Sequence, residues 1–150
     1  MDEKMRSVAA IQEGTVIDRI PVGQAIRLIS LLKLSKHPNR ISIGLNLPSR
    51  TMVLKDLIKI EKLFLTETEA QEMAIFAPTA TLNLIRNYHV EKKMKASLPA
   101  QVLKILTCPN SSCITHTEPV ESRFYIKDDR QQIYLCCHYC EKLFQRDEFK

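Results

Sequence analysis

The chain has 150 residues, 45% of them hydrophobic and 26% charged, which suits one ordinary domain or two small ones and excludes a disordered or fibrous chain. Its formal charge of +5 is uneven: residues 1–100 hold 15 Lys and Arg against 10 Asp and Glu, whereas residues 101–150 hold 7 of each, so the second part offers no basic stripe to a nucleic acid. No signal segment or bilayer-length apolar run is present, so a cytoplasmic location is expected, and with only Gly14, Gly23 and Gly44 available neither a P-loop nor a dinucleotide-binding turn can be assembled.

After a short arm, residues 15–20 read as a strand, and Pro21 opens a helical stretch with Ala25, Leu28, Ile29 and Leu32 on one stripe. The cleanest alternation follows. Ile41, Ile43, Leu45 and Leu47 share one side and Arg40, Ser42, Gly44 and Asn46 the other, which predicts a half-buried strand. A short loop at residues 48–50 leads to a second strand over residues 52–62, with Leu54, Ile58 and Ile60 inward and Lys55, Lys59 and Glu61 opposite, so the two form a hairpin. Thr66 with Glu69 predicts a capping box opening a helix that buries Ala70, Met73, Ala74 and Ala77 and stops at Pro78. A last strand is expected over residues 80–90, with Leu82 and Leu84 alternating against Asn83 and Ile85.

The order β-α-β-β-α-β predicts an α+β chain that begins with a ferredoxin-like split βαβ domain, its two helices on one sheet face and the other face open. Residues 92–99 lose periodicity and read as a linker, so the boundary is placed near Pro99, dividing the chain into residues 1–99 and 100–150. The second part offers short β-rich runs at 102–107, 123–127 and 133–137, too little chain for a core without a staple.

The cysteines supply one. Cys108 and Cys113 are spaced C-x4-C, Cys137 and Cys140 C-x2-C, and about two dozen residues separate the pairs, the pattern of two turns closing a tetrahedral four-thiolate zinc site. Four protein ligands leave no position for water, so one structural Zn²⁺ is expected and no catalytic one. Cys136 is the odd thiol. Adjacent residues on a strand face opposite ways, so Cys136 and Cys137 do not share a metal, and Cys136 is expected to be a packed side chain. His116 and His138 are expected beside the site as neighbours of the ligands.

Lys59 and Asn83 on the open sheet face, with Asp18 and Arg19 at the end of the first strand and Lys92 and Lys93 after the last, could hold phosphates, a base and a ribose, but polar residues on an exposed face are equally the ordinary solvated surface. Two other classes find less support. A nucleic-acid-binding zinc ribbon is disfavoured by the charge split and by the absence of aromatic residues from residues 41–47. An enzyme would need a nucleophile, an acid–base pair or an open metal site, and none is legible.

Several dispersed segments together resemble a known family over nearly the whole chain: Gly14 to Asp18, Ile43 to Pro48, Lys55 to Glu61, Ala77-Pro78 with Asn83, Ser97 to Pro99, Cys108-Pro109-Asn110 and Cys140-Glu141-Lys142. They resemble the regulatory chain of aspartate carbamoyltransferase. The resemblance implies a non-catalytic subunit of pyrimidine biosynthesis whose first domain binds ATP or CTP, with UTP assisting CTP, and whose zinc domain docks on the catalytic chain. It also implies a homodimer of regulatory chains that joins catalytic trimers in a heterododecamer. Carried over by position, Ile11, Val16, Asp18, Arg19, Lys59, Asn83, Ile85, Tyr88, Val90 and Lys93 line the implied nucleotide pocket, Lys93 at the phosphates and Lys59 at base and ribose. Arg19 stands where well-known members have histidine and adds a fixed positive charge. In the zinc domain Ser112 replaces an asparagine, and Asp128 and Asp129 stand where basic residues are usual.

Overall fold

The computed structural model describes residues 10–129 and 132–149; the amino-terminal arm before Ala10 lies outside the described residues. The chain divides into two compact units, the first ending at Ser97 and the second beginning at Leu98. Each is taken by itself.

In the first unit β1 (Gly14–Ile20), α1 (Ala25–Leu31), β2 (Ile41–Ser49), β3 (Val53–Glu61), α2 (Glu67–Met73), β4 (Thr81–Arg86) and β5 (His89–Lys95) follow in sequence. The sheet order is β2-β3-β1-β4-β5 with every neighbour antiparallel. That is the ferredoxin-like arrangement with β5 added at one edge. Residues opposite one another across an antiparallel ladder share a face. Ile17 stands opposite Ile58 and Leu82, and all three are fully buried together with Ala25 and Leu28 of α1 and Met73 of α2. The core therefore lies on this face. α2 begins at the expected capping box, in which the Thr66 hydroxyl accepts from the Glu69 amide and the Glu69 carboxylate accepts from the Thr66 amide.

Two close approaches fix the sheet. Gly14 has φ +139°, and a Cβ there would lie 2.0 Å from the Ile60 carbonyl oxygen, so only glycine fits where β1 meets β3. One residue on, the fully buried Thr15 hydroxyl donates to the Leu63 carbonyl at 2.6 Å and accepts from the Leu65 amide at 3.2 Å, anchoring the segment that leads into α2.

Three expectations change. The single last strand is a hairpin: the chain turns at Asn87 and Tyr88, with φ of 50° and 66°, and returns as β5. Residues 92–95, read as linker, therefore belong to that strand. Ile43 and Leu45 are 41% and 49% exposed, because β2 is an edge strand of the sheet, uncovered among the described residues of the first unit. Leu54, expected inward, is 42% exposed beside the hairpin tip, and burial on β3 begins at Asp56.

The second unit is a sheet of order β6-β7-β8-β9, built from β6 (Gln101–Leu103), β7 (Arg123–Asp129), β8 (Gln132–Cys137) and β9 (Leu143–Gln145). The 102–107 run is strand only as far as Leu103, and β9 is an addition to the expected elements. Val102, Phe124 and Cys137 stand in one row, and Ile126, Leu135 and Phe144 in the next. Phe149 packs edge-on against Phe124 at 5.1 Å and near Phe144 at 5.9 Å between ring centroids. This small aromatic core leaves much of the unit's stability to another source.

Candidate metal centre and polar sheet face

Two turns bring the thiols of the second unit together. Cys108 and Cys113 flank a loop in which the Cys113 amide donates to the Asn110 carbonyl and the Ser112 amide to the Asn110 side-chain oxygen. Cys137 and Cys140 lie at the end of β8, where Glu141 takes φ 61° and its amide donates back to the Cys137 carbonyl at 2.9 Å.

The four sulfurs all lie within 4.8 Å of one another, with Cys108–Cys140 at 3.8 Å and Cys113–Cys137 at 3.7 Å. A tetrahedral ion bonded to sulfur at the zinc–thiolate length of about 2.3 Å requires sulfurs about 3.8 Å apart. These spacings fit such an ion and are far too long for a disulfide, whose sulfurs are about 2.05 Å apart. Cys136 stands outside the cluster. Its partner in register is Tyr125, on the face opposite the Phe124–Cys137 row.

Burial pushes the Cys108 and Cys137 thiols up, against the backbone N–H groups of Asn110 for the one and of Cys140 and Tyr139 for the other. At Cys113 burial also raises the pKa, but the Thr115 hydroxyl and backbone N–H beside it, together with the neighbouring thiols, outweigh it and draw the group down to about 6. Cys140 is likewise drawn down against burial, by the Lys142 backbone and the Asn110 side chain. Donors aimed at sulfur favour the thiolate, the form that binds a metal. His116 Nε2 bonds the Cys108 carbonyl at 2.9 Å, and His138 Nδ1 pairs with the Tyr125 hydroxyl at 2.8 Å. Both rings thus sit beside the ligand turns, as expected of neighbours.

On the first unit the register sets Lys59, Val16, Asn83 and Lys93 in one continuous row across β3, β1, β4 and β5. The row lies on the face opposite the core. One row toward the hairpin turn, Ile85 stands opposite Val90, and the Tyr88 amide donates to the Gln12 carbonyl at 2.9 Å, next to Ile11 in sequence. Ile11 and Ile85 are buried, whereas Tyr88 and Val90 are 65% and 56% exposed. At the other end, Asp18 Oδ1 accepts from Lys55 Nζ at 2.8 Å and from the Arg19 amide at 2.7 Å, while Arg19 is exposed at φ 58° in a bulge of β1. The structure thus sets Lys59, Val16, Asn83 and Lys93 in one row, with Asp18 and Arg19 toward the bulge, Ile85 and Val90 toward the hairpin turn, Tyr88 in that turn and Ile11 ahead of β1. Lys55 is tied to Asp18 by this ion pair, which sequence reasoning could not anticipate because it joins strands that only the long-range β1–β3 pairing brings together.

Two family matches and three relatives bear on this geometry. Residues 6–97 match the family described as aspartate carbamoyltransferase regulatory chain, allosteric domain, and residues 100–150 match the family described as aspartate carbamoyltransferase regulatory chain, metal binding domain. Aspartate carbamoyltransferase regulatory chains of Chromobacterium violaceum and Photorhabdus laumondii are each 51% identical to this chain, over 95% and 97% of it and 93% and 94% of their own lengths. That of Yersinia pseudotuberculosis is 55% identical over 91% of this chain and 89% of its own.

Proposed function

Because the chain belongs to the family of aspartate carbamoyltransferase regulatory chains, whose catalytic activity resides in a separate chain, we propose that its first unit takes ATP or CTP, with UTP assisting CTP, and that its second holds one Zn²⁺ and docks on the catalytic chain. The observation that carries the effector reading is the row Lys59–Val16–Asn83–Lys93. Two ammonium groups at the ends of a row, with an amide between them and an apolar stem beside it, give a triphosphate its cations and a base and ribose their hydrogen bonds. Lys93 serves the phosphates, Lys59 the base and ribose, and Asp18 orients the Arg19 bulge at one end while Ile85, Tyr88 and Val90 flank the other.

An effector changes activity only through unequal binding to two quaternary states, and a coupling of about 1 to 3 kcal/mol is the usual size. Titration calorimetry of the holoenzyme with CTP and ATP tests the site: Lys59→Ala and Lys93→Ala each weaken binding about tenfold or more and leave the zinc content unchanged. Unchanged affinity in both variants removes the assignment, and identical aspartate saturation with and without nucleotide removes the regulatory role.

Donor chemistry and spacing support Zn²⁺: four thiolates at tetrahedral distances suit a structural zinc ion. The family relationship implies a catalytic-chain partner. Beside the ligand turns, Ile114 and Leu143 are 49% and 59% exposed, and they offer apolar surface to that partner near Asn110, Glu141 and Lys142. The cytoplasm is the compartment in which five free thiols and a biosynthetic complex belong; no helix among the described residues is long and apolar enough to cross a membrane.

A homodimer of regulatory chains is supported by the contrast between the two edges of the first sheet. β5 is protected by Lys92, Lys93 and Lys95, the usual device against edge pairing. β2, with sequence ISIGLNLPS, has no charge at all and exposes Ile43 and Leu45. Over residues 41–45, ahead of the bulge at Asn46 and of Pro48, an uncharged apolar edge is a template for a second strand, and an antiparallel copy of itself satisfies it with two-fold symmetry.

A further inference from the structure

Asp56 is the most deeply buried charged side chain among the described residues, 1% exposed, in the middle of β3. Both carboxylate oxygens are used. Oδ2 accepts from the Gly23 amide and Oδ1 from the Asn46 amide, each at 3.0 Å. Gly23 lies in the turn before α1 and Asn46 in the edge strand β2, so one side chain ties two separate elements to the strand between β1 and β2.

The backbone shows why two acceptors are needed there. Between the pairs Gly44–Leu57 and Leu47–Lys55, β2 spends one residue more than β3, and the extra residue is accommodated with Asn46 at φ 57°. Such a bulge turns an amide away from the ladder. The Asn46 N–H points at Asp56 instead of a strand partner, and the Gly23 N–H, at φ 91°, does the same from the other side. A buried carboxylate is tolerated because it receives two donors; it sets the position of both in return.

The residues adjoining those two amides are exposed and apolar. Val22 precedes Gly23 and is 47% exposed, Leu45 precedes Asn46 and is 49% exposed, and Ile26 in the first turn of α1 is 60% exposed. We infer that Asp56 is a positioning residue for self-association: it fixes the start of α1 and the bulge of β2 so that Val22, Ile26, Ile43 and Leu45 form one preset apolar surface covered by a second copy of this chain. The inference rests on the homodimer reading and names the group that organises its interface. A surface fixed before contact loses less freedom on association, which is how a buried group that never touches the partner strengthens binding.

Sedimentation equilibrium of the full chain tests it with two variants. Asp56→Asn keeps the size but replaces one acceptor by an amide nitrogen that meets a backbone N–H. It raises the dimer dissociation constant tenfold or more, with zinc content unchanged. Thr15→Val removes an equally buried side-chain donor whose hydrogen bonds go to Leu63 and Leu65 and none to β2; it lowers the melting temperature and leaves the dimer constant within twofold. If Asp56→Asn dimerises within twofold of the unaltered chain, or if Thr15→Val weakens the dimer as much, the inference is overturned. A readout on the unaltered chain is independent of how the variants fold: at dilutions where it is monomeric, the Gly23 and Asn46 amides resist hydrogen exchange, and free exchange at both overturns the inference as well. A chain that is monomeric at every concentration sinks the homodimer reading itself, a result distinct from a dimer indifferent to Asp56.

Discussion

Gly14 and the cysteines show how much a single position decides here. At Gly14 both sterics and backbone oppose a side chain, since a Cβ would lie 2.0 Å from the Ile60 carbonyl oxygen and φ is +139°. Gly14→Ala is therefore expected to cost about 3 kcal/mol or more, as positions combining strain with a backbone clash do. Chemical denaturation of the alanine variant measures it, and a loss under about 1 kcal/mol contradicts the reading. Among the thiols the contrast is between neighbours. Cys137 sits in the core row opposite Phe124, within the sulfur cluster, whereas Cys136 points to the other face toward Tyr125. Cys137→Ser should abolish metal binding and Cys136→Ser should leave one metal per chain by atomic absorption. The pH dependence has a definite sign. Cys108 and Cys137 are raised and Cys113 is lowered to about 6, so metal uptake must displace protons from the raised pair and the metal is released as pH falls.

At the scale of elements, the β2 edge carries the clearest prediction. Ile43 is 41% exposed in the single chain, so Ile43→Lys changes monomer stability by no more than about 0.5 kcal/mol, as exposed substitutions do. The same charge placed on an edge strand blocks strand addition. Sedimentation should show a dimer weakened at least tenfold with an unchanged thermal midpoint at monomeric dilution; a tight dimer would place the interface elsewhere. The period-2 pattern of residues 41–47 was legible in the sequence, but its interpretation as a half-buried strand assumed that the inward face was covered within one chain. Exposure of Ile43 and Leu45 depends on where β2 falls in the sheet order, which local pattern does not encode. The capping box at Thr66 and Glu69 was legible because it is made by residues three apart. The hairpin joining β4 to β5 was not. Its turn lacks the usual glycine, and Tyr88 is held at φ 66° with its amide bonded to Gln12, a contact made far along the chain. The cysteine cluster was legible from spacing alone, whereas Lys59, Asn83 and Lys93 needed the register of four strands to be placed in one row.

At the scale of the whole molecule, the two units differ in what holds them. The first buries a continuous set of apolar side chains from three strands and two helices, including Ile17, Ile20, Leu28, Ile58, Ile60, Met73 and Leu82. The second buries few large side chains, chiefly Phe124, Leu135 and Val102, and joins its strands at one end through the four thiols. A structural zinc site of this kind contributes on the order of 10 kcal/mol or more, which exceeds the whole stability of many small domains. Stripping the metal with a chelator or a mercurial thiol reagent should then unfold only the second unit. Far-UV circular dichroism should lose the signal of β6 to β9 while the first unit retains a separate thermal transition and its nucleotide affinity. In the complex the consequence reaches further, because the docking surface proposed for the catalytic chain is built on the ligand turns at Ile114 and Leu143. Metal loss should release this chain from the catalytic subunit, read as a change from one sedimenting species to two, and restoration of Zn²⁺ should reverse it. An assembly that stays intact after complete metal removal would show that docking does not use these turns, while leaving the effector proposal for the first unit untouched.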